Sequence, residues 1–336
     1  MPSQNTMSSS DKSLFLVGGP MNKGGVATFN KRLHHDLQSK GYTTQHFSVF
    51  GGKGRVSLLK LLFSSTKNTV LVASLSSGLL MLLPIRFKKK VFILHGYRPF
   101  SQGLFKAFFS YFTMWVGGRR SHINLANSEL TRSFYKRFMN IDAQVTPLIF
   151  ESSIGDDVSI TTQKPDKDID VLFVGRLVSQ KNIDVLIRAI SLYKRDYKRP
   201  LNVQILGDGA LRPKLMQLTA ELNLTEEIHF KGFVPQDQLQ DYYKRARCFV
   251  SLGLMEPYGL VFEEALAYNL KTILHRYSGI LEFDQSGLLY PVNLDEQEIA
   301  AQLKVIVGDK NTGQRKVRKE ERTYISFSQS LLDTIP

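Results

Sequence analysis

Cysteine is almost missing from this sequence. Cys248 stands alone among 336 residues, which excludes a disulfide framework and a cysteine-based zinc site. Acidic residues are scarce in the first half. Residues 1–150 hold 4 Asp+Glu against 20 Lys+Arg, a balance of +16, whereas residues 151–336 hold 26 against 24, a balance of −2. The formal charge of +14 therefore belongs to one half, and two units with different partners are expected. A spanning hydrophobic run is also missing. The most apolar stretch, residues 70–85 (VLVASLSSGLLMLLPI), is shorter than the roughly 20 residues a membrane helix needs and is broken by serines and a proline. The N-terminal MPSQNTMSSSDKS lacks the basic and apolar regions of a signal peptide. The chain reads as cytosolic or cytosol-facing, with attachment to a membrane surface left open.

Hydrophobic residues make up 43% of the chain, too many for a disordered protein and enough for two ordinary cores. Short apolar runs alternate with helical patterns throughout, the signature of an α/β fold with parallel sheets. Residues 13–17 (SLFLV) predict a strand. From Val26 the spacing of Phe29, Leu33 and Leu37 predicts a helix, with Gly41 where its C-terminal cap belongs. Strands follow over 43–50, 70–73 and 91–94. A polar, weakly patterned stretch over 150–168 marks the linker. The rhythm then restarts, with strands at 171–174, 203–206, 228–230, 248–252 and 271–274, and helices at 182–193, 210–222, 236–246, 260–268 and 295–307. The expected organisation is a basic domain over 1–160, a second domain over 161–310, and a final segment, 311–336, that returns to the first. Ligands of doubly wound folds bind at the C-terminal ends of the strands.

Three strand-to-helix loops carry chemistry. Gly18-Gly19-Pro20-Met21-Asn22-Lys23-Gly24-Gly25 precedes a helix whose first amides can hold phosphate. Its spacing is neither the dinucleotide fingerprint nor a Walker A loop, and an ordinary turn fits it as well. Gly175-Arg176-Leu177, with Lys181 five residues after Arg176, places two cations at a strand end, where they can clamp a diphosphate or simply be solvated. In Glu256-Pro257-Tyr258-Gly259-Leu260-Val261-Phe262-Glu263-Glu264, the two outer carboxylates are separated by seven residues. A carboxylate accepts from two neighbouring hydroxyls at once, which suits sugar rings. The amides of Gly259, Leu260 and Val261 open the helix and can face phosphate. Acidic residues at a helix start also simply complement the dipole.

Taken together, Gly24-Gly25, Gly175-Arg176-Leu177 with Lys181, Gly207-Asp208-Gly209, and the Glu256 to Glu264 spacing resemble the retaining GT-B glycosyltransferases. That large group includes bacterial mannosyl-, glucosyl- and galactosyltransferases of surface polysaccharides and lipopolysaccharide. The resemblance runs from about residue 13 to about 305 and is strongest over 170–290. It implies two Rossmann-like doubly wound parallel-sheet domains facing a cleft, closing over a nucleoside-diphosphate sugar. Arg176 and Lys181 would stabilise the departing diphosphate in place of a metal ion, so no metal or cofactor is expected. Glu264 would bind the ribose and Glu256 the transferred hexose. Gly24 and Gly25 would cap the phosphate, and the backbone at Phe233 and Val234 would lie beside the base. His95, at the end of VFILHG, would lie against sugar and acceptor, although a core or capping histidine fits the residues alone.

Two positions depart from the family's pattern. Asn269-Leu270-Lys271 stands where Gly-x-Pro is usual, and Tyr277-Ser278-Gly279-Ile280 where a Gly-Gly loop is usual. The second loop, through residue 284, bears on donor choice.

The basic half also holds an aromatic-rich segment, YRPFSQGLFKAFFSYFTMWVGGRR, with Phe105, Phe108, Phe109 and Phe112 at helical spacing. A buried core helix and a helix lying on an anionic membrane surface both fit it. The charge asymmetry favours the membrane. The acceptor is then expected to be a glycan, lipid-linked, at the cytoplasmic face of the inner membrane. Nucleic acid is the rival partner for a basic protein. No zinc-finger spacing, RNP-like string or basic arm supports it, and the Glu256 and Glu264 carboxylates would repel a phosphate backbone. A catalytically silent sugar-nucleotide binder is the third reading.

Overall fold

The basic half forms six parallel strands, four of them at the runs read from the sequence and two, near residues 123 and 144, beyond them. In the computed structural model these are β1 (Ser13–Gly18), β2 (Thr43–Ser48), β3 (Thr69–Ser74), β4 (Lys89–Leu94), β5 (Ile123–Ala126) and β6 (Gln144–Val145), in the order β2-β1-β3-β4-β5-β6. The structure describes residues 13–18, 25–48, 69–82, 87–96, 104–148, 167–254, 256–308 and 327–334. The chain divides into two compact units, one of residues 1–153 with 324–336 and one of residues 154–323.

In the first unit, helix α1 (Gly25–Ser39) buries Phe29, Leu33 and Leu37, each contributing roughly 1.5–3 kcal/mol. Gly41 ends it at φ +80° with its amide on the Gln38 carbonyl, the left-handed cap glycine supplies without strain. The apolar stretch from residue 70 splits into β3 and a 3-10 turn, Leu75–Leu82. Helix α2 (Leu104–Arg120) packs its small residues inward. A Cβ on Gly117 would come within 2.5 Å of the Phe92 ring. Helix α3 (Glu129–Met139) is capped by Ser128, whose hydroxyl accepts from the Thr131 amide at 3.2 Å. The C-terminal helix, numbered α9 below, returns here.

The second unit repeats the pattern. Strand β7 (Ile169–Val174) leads through a 3-10 turn (Ser179–Lys181) to α4 (Ile183–Tyr197). Then follow β8 (Val203–Leu206), α5 (Arg212–Glu221), β9 (Ile228–Gly232), α6 (Gln236–Arg245), β10 (Ala246–Ser251), α7 (Leu260–Ala267), β11 (Lys271–His275), β12 (Leu289–Val292) and α8 (Glu296–Gly308). All six strands are parallel, in the order β12-β11-β10-β7-β8-β9. Helices α4 and α8 close the core over Val171, Phe173, Ile205, Val250 and Ile273. Cys248 lies in this core, and burial pushes its thiol up to about 12, a structural position. Helix α9 (Phe327–Asp333) belongs to the first unit. Its Phe327 ring meets Phe29 with centroids 5.1 Å apart, and Lys89 Nζ donates to the Thr334 carbonyl at 2.9 Å.

Both sheets are α/β and doubly wound. Strand order reverses between β1 and β3 in the first unit and between β7 and β10 in the second. Ligands of such sheets lie outside the C-terminal strand ends at this reversal. The loops after β1, β7 and β10 hold most of the motif residues singled out from the sequence.

Candidate active site

In the second unit, three hydrogen bonds to backbone carbonyls draw the loops of the switch point together. Asn182 adopts a left-handed conformation, φ 48°, between the 3-10 turn and α4. From there its Nδ2 donates to the Leu252 carbonyl at 2.8 Å, and the Leu254 amide donates to the Gln180 carbonyl at 3.0 Å. The turn after β7 is thereby stitched to the end of β10. Lys181 and Glu256 consequently meet in an ion pair, Nζ to Oε2, with both side chains mostly buried. The Gly279 amide donates to the Glu256 carbonyl at 3.0 Å, fixing the carboxylate's backbone from a third loop.

Arg176 follows β7 in the same loop. It is exposed and forms no ion pair among the described residues. The Gly207-Asp208-Gly209 loop buttresses it. The Leu177 amide donates to the Asp208 carbonyl at 3.0 Å, and the Leu211 amide to the Leu177 carbonyl at 3.1 Å. Gly207 holds φ +132°, and a Cβ there would lie 1.8 Å from the Gly175 carbonyl oxygen. Only glycine permits this approach.

Gly259 begins α7 at φ +86°. With Leu260 and Val261 it forms the first turn, where helices leave N–H groups unpaired and the dipole is positive. Glu264 sits one turn further on and is buried. Its Oε2 accepts from Tyr243 Oη at 2.9 Å and its Oε1 from Gln236 Nε2 at 3.0 Å. Tyr243 is in turn stacked on Tyr268, with centroids 5.5 Å apart. Sequence reasoning found Glu264 and missed these two holders. Their signal was the seven-residue spacing of Gln236 and Tyr243, which puts both on one face of α6. Phe233 and Val234 follow β9, with Phe233 65% exposed and Val234 half-buried.

Both departures from the family's pattern have local explanations. Asn269 takes φ +54° after α7, and its amide donates to the Leu266 carbonyl at 2.9 Å. Asparagine is the residue that best replaces glycine in this conformation. At Tyr277-Ser278-Gly279-Ile280 the Ser278 amide closes a turn onto the His275 carbonyl at 3.0 Å, and a 3-10 turn, Gly279–Phe283, follows.

In the first unit, His95 ends β4 at the edge of the switch region. Its ring stands edge-on to Phe29, with centroids 4.4 Å apart. Nε2 is buried without a hydrogen-bond partner among the described residues, and burial holds the imidazole down to about 4. It is therefore neutral near pH 7. A buried polar atom without a partner is uncommon in folded proteins. Gly25 opens α1, whereas Gly24 and the rest of its loop lie outside the described residues.

Comparison with known proteins agrees with this architecture. Residues 157–323 match the model of the family described as glycosyl transferases group 1. An uncharacterized glycosyltransferase of Methanocaldococcus jannaschii is 35% identical over 152 residues, 44% of this chain and 38% of that one. An N-acetylgalactosaminyltransferase of Campylobacter jejuni, named for a diphospho-undecaprenol-linked saccharide, is 33% identical over 147 residues, 43% of this chain and 38% of that one. The chain thus matches less than two fifths of the length of either relative. Among solved structures, HepE of Anabaena, in complex with UDP and glucose, superposes with a TM-score of 0.70 at 16% identity, over 96% of this chain and 99% of that one. The second unit thus belongs, through residues 157–323, to the glycosyl transferases group 1 family, and both units have the parallel six-stranded α/β architecture of the GT-B type.

Proposed function

We propose that the protein transfers a hexose from a nucleoside-diphosphate sugar to a saccharide acceptor, lipid-linked, in the assembly of a cell-envelope polysaccharide. The observation that carries this reading is the Lys181–Glu256 ion pair at the β7/β10 reversal, with exposed Arg176 in the same loop after β7. One carboxylate and two cations at a strand end suit a ligand with hydroxyls at one end and a diphosphate at the other. The relatives support the ligand class. The Anabaena structure holds UDP and glucose, and the Campylobacter enzyme is named for a diphospho-undecaprenol saccharide.

In the reaction, the bond between the sugar's anomeric carbon and the donor's terminal phosphate oxygen breaks. The nucleoside diphosphate leaves with the electron pair. Arg176 and Lys181 stabilise that growing negative charge with preorganised positive charge, the role a metal ion plays elsewhere. Glu256, released from Lys181 by the diphosphate, accepts hydrogen bonds from the sugar's hydroxyls. Glu264 accepts from the ribose, and the first-turn amides of Gly259, Leu260 and Val261 face the phosphates. The backbone at Phe233 and Val234 borders the base. The acceptor's hydroxyl oxygen forms the new bond on the face the diphosphate leaves, so the configuration is retained. Its proton passes to the departing phosphate oxygen. In the first unit, we assign neutral His95 and the first-turn amide of Gly25 to ligand binding.

No described helix is long and apolar enough to cross a membrane, and we place the protein on the cytoplasmic face of the inner membrane, where such acceptors are extended. The test is a transfer assay in chelator, offering UDP-, GDP- and ADP-hexoses with a short saccharide-diphosphate-prenol acceptor. Products are read by mass spectrometry and their anomeric configuration by NMR. Transfer with retention, lost in Glu256→Ala, is expected. Absence of both transfer and donor hydrolysis across the panel overturns the reading.

A further inference from the structure

Helix α2 is amphipathic in an unusual sense, because all its exposed large apolar residues are aromatic rings, while its buried side is built mostly of small residues with Met114 and Val116. Phe105 is 82% exposed, Phe108 70%, Phe109 48%, Phe112 44% and Trp115 43%. Their spacing puts all five rings on one side of the helix. The opposite side, with Ala107, Ser110, Thr113 and Gly117, is buried, packed mainly on the 3-10 turn Leu75–Leu82, with Gly117 against Phe92 of the sheet. A core helix would have the reverse arrangement. A contiguous exposed stripe of this kind marks an interaction surface.

Charge identifies the partner. The helix carries Lys106, Arg119 and Arg120 and no acidic residue. The Arg119 guanidinium lies over the Trp115 ring, 5.9 Å from its centroid. Residues 1–150 around it carry 20 Lys+Arg and 4 Asp+Glu. Two copies of so basic a half repel each other, whereas an anionic lipid surface attracts it. Phe and Trp then enter the headgroup and upper acyl region while the arginines stay with the phosphates.

We propose that the exposed face of α2 is a docking surface for anionic membranes, lying in the interfacial plane. The inference stands apart from the reading of residues 170–264 as a donor site, and its test uses no activity.

Trp115 is the only tryptophan in the chain, so fluorescence excited to the red of tyrosine absorption reports on this helix alone. The full-length protein is titrated with vesicles of phosphatidylglycerol and phosphatidylethanolamine, and separately of phosphatidylcholine. A blue shift and quenching by brominated acyl chains are expected with the anionic vesicles and far weaker with phosphatidylcholine. The double variant Phe105→Ser/Phe108→Ser alters two exposed rings and keeps the circular dichroism of the wild type. It should partition at least tenfold more weakly. Arg119→Gln/Arg120→Gln should weaken binding to anionic vesicles and remove most of its salt dependence. Vesicle binding without a Trp115 shift, or partition unchanged by the double serine variant, overturns the proposal. So does a blue shift that grows with protein concentration in the absence of lipid, which gives the face to a second copy.

Discussion

Lys181 and Glu256, 75 positions apart in sequence, form an ion pair at the point where strand order reverses in the second unit. The pair exists because Asn182 and Gln180 tie the β7 loop to the end of β10. In the proposed reaction a diphosphate takes Lys181 and sugar hydroxyls take Glu256. Lys181→Ala should then weaken nucleoside diphosphate binding at least tenfold by calorimetry. It should also lower the unfolding free energy by about 1.5–3 kcal/mol, the scale of a hydrogen bond to a charged group. Unchanged diphosphate affinity would remove Lys181 from the site.

Tyr243 holds one oxygen of Glu264 and Gln236 the other. Tyr243→Phe removes one hydrogen bond of about 1 kcal/mol and leaves the ring stack on Tyr268 in place. The expected outcome is several-fold weaker binding of a nucleoside diphosphate with inorganic pyrophosphate binding unchanged, because Glu264 is assigned to the ribose. Equal weakening of both ligands would point to a general loosening of the unit.

Gly207→Ala tests the loop packing that supports Arg176. A methyl group there meets the Gly175 carbonyl, and φ +132° disfavours any side chain. The strain alone costs about 1–3 kcal/mol, and displacement of the carbonyl adds to it. A fall in denaturation midpoint with reduced diphosphate affinity is expected. An unchanged midpoint would contradict the geometry.

His95 makes stability pH-dependent. Its folded value, about 4, lies below the ordinary 6.5. Above pH 6.5 the ring is neutral in both states and costs nothing. As pH falls from 6.5 to 4, the unfolded chain binds a proton that the folded protein refuses. Stability is therefore lost through this window, by roughly 3 kcal/mol in all. His46 and His275 are lowered in the same direction by burial and add to the slope. In His95→Gln, denaturant unfolding from pH 7 to 4 should show a shallower decline. An unchanged decline would mean that His95 titrates normally.

The α/β rhythm was legible because most central strands, such as β1, β3, β4, β7 and β8, are short apolar runs, whereas β5, β6 and β12, four, two and four residues long, gave no such signal. Gly175-Arg176-Leu177 and the Glu256 to Glu264 spacing were legible because loop chemistry is written locally. Two things were not. The partners of Glu264 lie on another helix, and only tertiary packing brings Tyr243 to it. The aromatic stripe of α2 has the same spacing whether it faces in or out. The decision rests with Ala107, Ser110, Thr113 and Gly117 on the opposite side, whose small size lets the helix sit close to Phe92. Asn269 shows a third case, where a departure from the family's glycine keeps the backbone conformation that the glycine serves.

The most direct test of the central claim is a thermal-shift and binding panel in chelator, with UDP, GDP, ADP, dTDP and CMP, on the wild type and on Arg176→Ala. A ligand at a hundred times its dissociation constant stabilises by about 2.7 kcal/mol, a readily measured shift. One nucleoside diphosphate should stabilise the wild type, and Arg176→Ala should abolish the effect. If none stabilises the wild type, or if Arg176→Ala responds as the wild type does, the β7/β10 loops are not a donor site and the account fails.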